Sequence, residues 1–324
     1  MSKAKGKGQV APLYLMENTE KRVHIPTKEA CEAHIKSTLS PRPAASHKGS
    51  FGRAHILAGS HTYTGAALLS AEGALRMGAG LTYLYTEREA AAAARARLPE
   101  LIIKALPPIA AAGDEVASAL LSCEGAILIG PGIGQTDEAG RTLDGAHFCE
   151  LLDRVLSRTG GALVLDADAL NLLARGTPDA AAFLRAAVRD VIITPHPTEF
   201  ARLTGNKPKT QDERITAARD FAASSGATVV LKGAGTVIAS PDGRVTVNPS
   251  GSPALAKGGT GDVLAGMLAA LLAMGMPPYD AACAAVYLHG AAGDTLAATL
   301  SEYGVLPSEL PAAAARELAR IFAK

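Results

Sequence analysis

The sequence predicts an α/β fold, a central and mostly parallel β-sheet flanked by helices on both faces. Three observations lead there. Beyond Lys48, short apolar runs alternate with longer segments of helical periodicity, the pattern of successive βα units. The runs are continuous rather than alternating, as strands buried on both faces require. The residues just after the runs are unusual ones, rich in glycine, aspartate and histidine, and in open α/β sheets ligands bind beyond the carboxyl ends of the strands.

Taken in order, residues 1–22 are basic and weakly patterned and are expected to form a flexible tail, with residues 23–324 forming a single domain. A helix is predicted from Pro26 to Thr38 with Thr27 as its N-cap, followed by the proline-, glycine- and serine-rich loop SPRPAASHKGS. Buried strands are read at AHILA from Ala54, LTYLY from Leu81, AILIG from Ala126, ALVLD from Ala162, VIIT from Val191 and TVVLK from Thr228. The alanine tract Ala90 to Ala94 reads as helix. TVIA from Thr236 and RVTVN from Arg244 flank the turn SPDG and read as a hairpin added to the sheet, after which the chain is helical to the end.

Composition narrows the function. Hydrophobic residues make up 48% of the 324, many of them alanine, with no Trp and 4% aromatics, so a tightly packed, helix-rich core is expected. The 32 basic and 31 acidic residues leave a net charge of +1, which offers no global field to nucleic acid or an anionic membrane. Any anion must be bound locally. Cys31, Cys123, Cys149 and Cys283 lack CxxC or metal-ligand spacing and read as free thiols. The N-terminus has no apolar h-region, and the run Val263 to Met276 is too short and glycine-interrupted for a membrane span. A reducing cytoplasm is expected.

The sharpest local signal is LAKGGTGDVLAGM, where Gly258, Gly259 and Gly261 precede a helix beginning near Thr260. Backbone N–H groups of Gly258, Gly259, Thr260 and Gly261 could close around an anion where no Cβ blocks the approach. Asp262 would then stand beside that anion as a base for a hydroxyl attacking a phosphoryl group; the plainer reading is an acid complementing the helix dipole. GPGIG, from Gly130 to Gly134, is either a glycine-lined substrate wall or a tight turn. His196, between two prolines in TPHPTEF, is either a substrate contact or the residue before a capped helix. Asp166 and Asp168 could hold Mg2+ through water or cap the next helix. Lys232, with Gly233 and Gly235 beyond it, suits a nucleotide's phosphates and ribose, or is a solvated lysine at a hairpin. His55, His147 and His289 lack metal spacing. No Walker A, HExxH, GxSxG or kinase HRD pattern occurs.

From about Pro26 onward the chain resembles the NAD(P)H-hydrate dehydratases of the ribokinase-like superfamily. SHKGSFGRAHILAGS, TGAALLSAEGALRMGAGLTYLYT, GPGIG, LVLDADALNLLA, TPHPTEFARLTG, LKGAGTVI and AKGGTGDVLAGM occur in the family's order. GTGD alone would indicate only the superfamily, whereas HKGSFG and TPHPTEF single out the dehydratases. The resemblance implies dehydration of hydrated NADH or NADPH by phosphorylation of the ring hydroxyl and elimination of phosphate, with Asp262 as base. It places Ala67, Gly134, His196 and Asp262 against that substrate, and Lys232, Gly233, Ala234, Gly235, Thr236 and Gly261 against an adenine nucleotide accompanied by Mg2+. It also implies a homotetramer. The short leader has no room for the epimerase domain that many relatives carry, so a separate epimerase is expected, and this standalone layout points to ADP rather than ATP. The competing readings are a ribokinase-like kinase for a vitamin precursor or sugar, and a non-catalytic nucleotide-binding regulator.

Overall fold

In a computed structural model, residues 23–136, 140–158 and 160–323 are described; the expected tail, residues 1–22, lies outside them. Ten strands, β1 (Val23–His24), β2 (Arg53–Leu57), β3 (Leu81–Thr86), β4 (Ile102–Ala105), β5 (Ala126–Ile129), β6 (Leu163–Leu165), β7 (Val191–Ile193), β8 (Thr228–Leu231), β9 (Val237–Ala239) and β10 (Val245–Val247), join one sheet. Its order is β1-β10-β9-β8-β7-β6-β5-β2-β3-β4. All pairs are parallel except β8/β9 and β9/β10, so the predicted hairpin is present, with Val245 opposite Ala239 and Val247 opposite Val237. Two strands escaped the sequence reading, and both lie at the edges of the sheet. β1 has only two residues, and β4 is largely exposed and followed by Pro107 and Pro108, so neither forms a continuous apolar run.

The central strands are buried on both faces because successive side chains serve different cores. Ala126 and Leu128 of β5 join one core and Ile127 and Ile129 the other. Helices Thr64–Met77, Thr260–Ala273 and Pro278–Gly304 cover the first face, and helices Gly145–Leu156, Asp168–Gly176 and Gln211–Ser225 the second. Thr27 caps the helix Lys28–Thr38 as expected, its hydroxyl accepting from Ala30 N–H at 3.2 Å.

The alanine-rich composition finds its use at one crossing. Helix Thr260–Ala273 is buried nearly all round and lies against helix Thr64–Met77. A Cβ on Gly266 would stand 1.9 Å from the carbonyl oxygen of Ser70, and one on Gly73 would stand 2.6 Å from that of Val263. Backbones approach this closely only where side chains are absent or small. The crossing fixes where the N-terminus of Thr260–Ala273, and hence Asp262, sits on the sheet. All four cysteines are free.

Candidate active site

The ladder continues past the strand ends. Gly130 N–H donates to Leu57 O at 3.1 Å, Asp166 N–H to Ile129 O at 3.1 Å, Thr194 N–H to Leu165 O at 3.1 Å and Lys232 N–H to Pro195 O at 2.9 Å. Gly130, Asp166, Thr194 and Lys232 therefore stand side by side at the carboxyl edge. The sheet order reverses between β2 and β5, with β3 and β4 on one side and β6 to β8 on the other. Such a reversal opens the crevice where open α/β sheets bind ligands.

Asp166 is 1% exposed and ion-paired to Lys232, Nζ to Oδ1 2.7 Å; the same oxygen accepts the Thr194 hydroxyl at 2.7 Å. Burial opposes the charge on Lys232, but Asp166, Glu199 and Asp262 outweigh it and hold its pKa above the usual lysine value. Asp168 accepts from Gly134 N–H at 3.1 Å and from the Gln135 amide at 2.9 Å, so its carboxylate fastens the GPGIG turn. Between the two acids, Ala167 has φ 51° and ψ −116°, outside the regions that a Cβ tolerates well. Such a conformation costs about 1–3 kcal/mol and persists where the surroundings impose it, here the ladder bond of Asp166 and the two bonds to Asp168.

Gly259, at φ 99°, turns the chain into helix Thr260–Ala273, and Val263 N–H begins the helical ladder at Gly259 O. Of the four backbone donors expected to face an anion, that of Thr260 has Lys257 O at 3.4 Å, and the Thr260 hydroxyl donates to Leu255 O and Lys257 O. A Cβ on Gly258 would meet nothing within 4 Å, whereas one on Gly261 would stand 3.3 Å from the Lys232 ammonium. Lys232 thus lies directly over the first turn. Burial, then the negative charge of Asp166, pushes the Asp262 carboxyl up to about 7; Lys232 pulls it down, while Asp168 and Glu199 add to the rise. A carboxylate poised near neutrality suits a general base.

Lys232 to Thr236 and Gly261 line one cavity of about 370 Å3, together with Asn248, Ser250, Leu255 and His289. That is within the usual range of about 300–1,000 Å3 for small-molecule sites. Arg214 shapes its floor, donating to the carbonyls of Leu231, Lys232 and Ala234 and to the Gln211 side chain, while the Gln211 amide donates to Gly235 O. Gly233, at φ 147°, admits that guanidinium, which a Cβ would approach at 2.8 Å. His289, its pKa pushed down to about 4 by burial, donates from Nε2 to Thr260 O at 3.0 Å. Arg214, Gln211 and Asn248 were missed by the sequence reading, because nothing local signals a role set by contacts from distant segments; His289, noted there only as lacking metal spacing, joins them at the cavity.

His196 proves to be a cap itself. Its Nδ1 accepts from Thr198 N–H and Glu199 N–H, and Glu199 returns a carboxylate to His196 N–H at 2.8 Å. The ring is half exposed, and burial together with Lys232 and Arg202 lowers its pKa, which keeps it neutral with the remaining proton on Nε2. Gly134, at φ 76°, faces Ser60. Ala67 is 0% exposed and packed toward Gly59. The exposed residue nearby in the same helix is Gly65, beside which a Cβ would find open space.

A parallel sheet with an antiparallel hairpin at one side, covered by helices on both faces and carrying a glycine turn and an aspartate at its carboxyl edge, defines the ribokinase-like class. Within that class, the chain belongs to the NAD(P)H-hydrate dehydratase family, whose model matches residues 54–316. It is 45% identical over 265 residues to a bifunctional NAD(P)H-hydrate repair enzyme of Gloeobacter violaceus, a match covering 82% of this chain and 49% of that protein. It is 37% identical over 276 residues to an ADP-dependent (S)-NAD(P)H-hydrate dehydratase of Neisseria meningitidis, covering 84% and 87%. The crystal structure of the ADP/ATP-dependent NAD(P)H-hydrate dehydratase of Bacillus subtilis, co-crystallised with ATP/Mg2+, superposes with a TM-score of 0.75 at 36% identity, covering 91% of this chain and 97% of that one. The chain spans about half the length of the bifunctional relatives. Among the described residues, no helix is long and apolar enough to cross a membrane.

Proposed function

We propose that the chain dehydrates hydrated NADH and NADPH at the expense of the terminal phosphoryl group of ADP, releasing phosphate and AMP. The observation that carries this is Asp262: a partly buried carboxyl raised to about 7, in the first turn of a helix, with the Lys232 ammonium over the same turn. Asp262 takes the proton of the ring hydroxyl as that oxygen attacks the terminal phosphorus. Backbone N–H groups of Gly258, Gly259 and Gly261 meet the charge that builds on the phosphoryl oxygens. Loss of phosphate from that carbon, with loss of a proton from the neighbouring ring carbon to solvent, then forms the ring double bond and restores the dihydronicotinamide. The nucleotide occupies the cavity lined by Lys232 to Thr236, and the hydrated ring lies between Asp262 and the wall formed by Gly134 and the neutral His196.

Among the described residues, no three His, Cys, Asp or Glu side chains gather as a metal site, and Asp166 and Asp168 already accept from protein donors. The residues therefore fit Mg2+ carried in on the nucleotide's phosphates and reached through water rather than a resident ion. When bound it would neutralise phosphate charge. The reading extends to a cytoplasmic homotetramer working beside a separate epimerase. ADP is favoured over ATP by the name of the Neisseria relative.

The test is absorbance at 340 nm with chemically hydrated NADH, Mg2+ and ADP or ATP. Nucleotide-dependent recovery is expected from the native protein and not from Asp262→Asn. If protein shown to bind ADP gives no recovery with either nucleotide, the reading is wrong, and stable phosphorylation of a hydroxylated vitamin precursor or sugar would replace it.

A further inference from the structure

We infer that Lys257 is a positioning residue that clamps the anion-binding turn Gly258–Gly261 to the end of the long helix Pro278–Gly304. The sequence leaves the role of Lys257, next to the glycine turn, open; the geometry assigns one. Lys257 Nζ donates to Tyr303 O at 2.6 Å and to Val305 O at 2.5 Å. Those carbonyls lie beyond the break in helical geometry at Ser301, at the chain's exit from Pro278–Gly304, where acceptors left without helical donors favour a cation. The charge of Lys257 is thereby committed away from the nucleotide cavity, whose lining does not include it.

The same helix holds the other end of the turn. His289, in its middle, donates to Thr260 O. The turn is thus slung between two anchors, Lys257 at its start held past the break at Ser301 and Thr260 at its end held by the helix body, and Thr260 Oγ1 draws the two ends together through Lys257 O at 3.0 Å. Pro307 lies against the turn as well, 3.4 Å from where a Cβ on Gly259 would stand. The end of the helix is itself distorted: Ser301 has φ 63° and ψ 165°, a region that L side chains rarely adopt.

A glycine-rich turn is conformationally free unless held, and donors stabilise a transition state only if they are aimed before charge develops. Lys257 supplies that hold. The charges that weigh most on Asp262 are Asp166, Lys232, Asp168 and Glu199, and Lys257 is not among them.

The inference rests on the proposed reaction, and two measurements keep them separable. In nucleotide-free protein, amide hydrogen exchange at Gly258–Gly261 is expected to speed up in Lys257→Met relative to the native chain and to return in Lys257→Arg. In the 340 nm assay, Lys257→Met is expected to lower kcat by about tenfold to a hundredfold, part of the cost of a lost oxyanion donor. Its KM for ADP should stay within about twofold, the acid limb of its pH profile should not move, and Lys257→Arg should recover most of the rate. Unchanged exchange, an unchanged kcat or a rise confined to the KM for ADP overturns the inference while native activity stands. Should Lys257→Met fail to fold, Lys257→Gln, with one donor retained, is read for the same exchange and the same split. An inactive native protein would sink the proposed reaction instead, and the exchange measurement would still decide whether Lys257 holds the turn.

Discussion

Asp262 gathers costs and uses in one side chain. Its carboxyl, raised to about 7 by burial and by Asp166, must be ionised to act as a base, so kcat/KM is expected to rise with pH through about 7 and to level off above it. Asp262→Asn should lower kcat by about a hundredfold to ten-thousandfold. The same shift has a sign for stability. A carboxyl whose folded pKa lies above its unfolded value favours the folded state below about pH 4 and loses that advantage as pH climbs to about 7. Asp262→Asn should therefore be the more stable protein at neutral pH, by up to about 4 kcal/mol for a shift of about three units, with the gain growing between pH 4 and 7; thermal melts across that range measure it. At this scale the sequence was legible wherever chemistry and chain proximity coincide, as in GGTGD and LKGAG. It was not legible for Ala167, whose strain comes from the bonds of its two neighbours, nor for Ala67, whose enclosure comes from packing toward Gly59.

Among the elements, helix Thr260–Ala273 has the least freedom to vary. Gly266 touches the backbone of helix Thr64–Met77, and a Cβ 1.9 Å from Ser70 O forces the two helices apart. Gly266→Ala is expected to cost about 1–3 kcal/mol or more, read as a lower denaturation midpoint, and to lower activity in the molecules that stay folded, because the anion turn moves with its helix. Helix Gln211–Ser225 acts on the other half of the site. Arg214→Met leaves the carbonyls of Leu231, Lys232 and Ala234 without their donor, and calorimetry should find ADP binding weakened by about tenfold or more, since bonds to a charged donor contribute about 1.5–3 kcal/mol each. The central strands could be read in advance because strands buried on both faces are written as unbroken apolar runs. The edge strands β1 and β4 could not, since an exposed or two-residue strand carries no such run.

For the molecule as a whole, the cavity lies beyond the carboxyl end of β8, walled by the turn into the hairpin, the segment after β10 and the start of helix Thr260–Ala273. A ligand seated there binds only the folded chain. ADP at about a hundred times its Kd should thus add about 2.7 kcal/mol to stability, visible as a rise in Tm that Arg214→Met diminishes. The class of the fold was legible in the alternation of strand and helix, but the sheet order was not, because periodicity says which segments are strands and nothing about which lie side by side. The central helix Thr260–Ala273, its glycine turn and His289 all come from the last quarter of the sequence, while the strands they cover come first. On the ribosome, then, most of the sheet emerges with one face covered only in part, by helix Thr64–Met77 among others, and without the glycine turn. Only when the helix that closes the core arrives is the glycine turn in place, so an interrupted chain lacks its fold and its candidate site for the same reason.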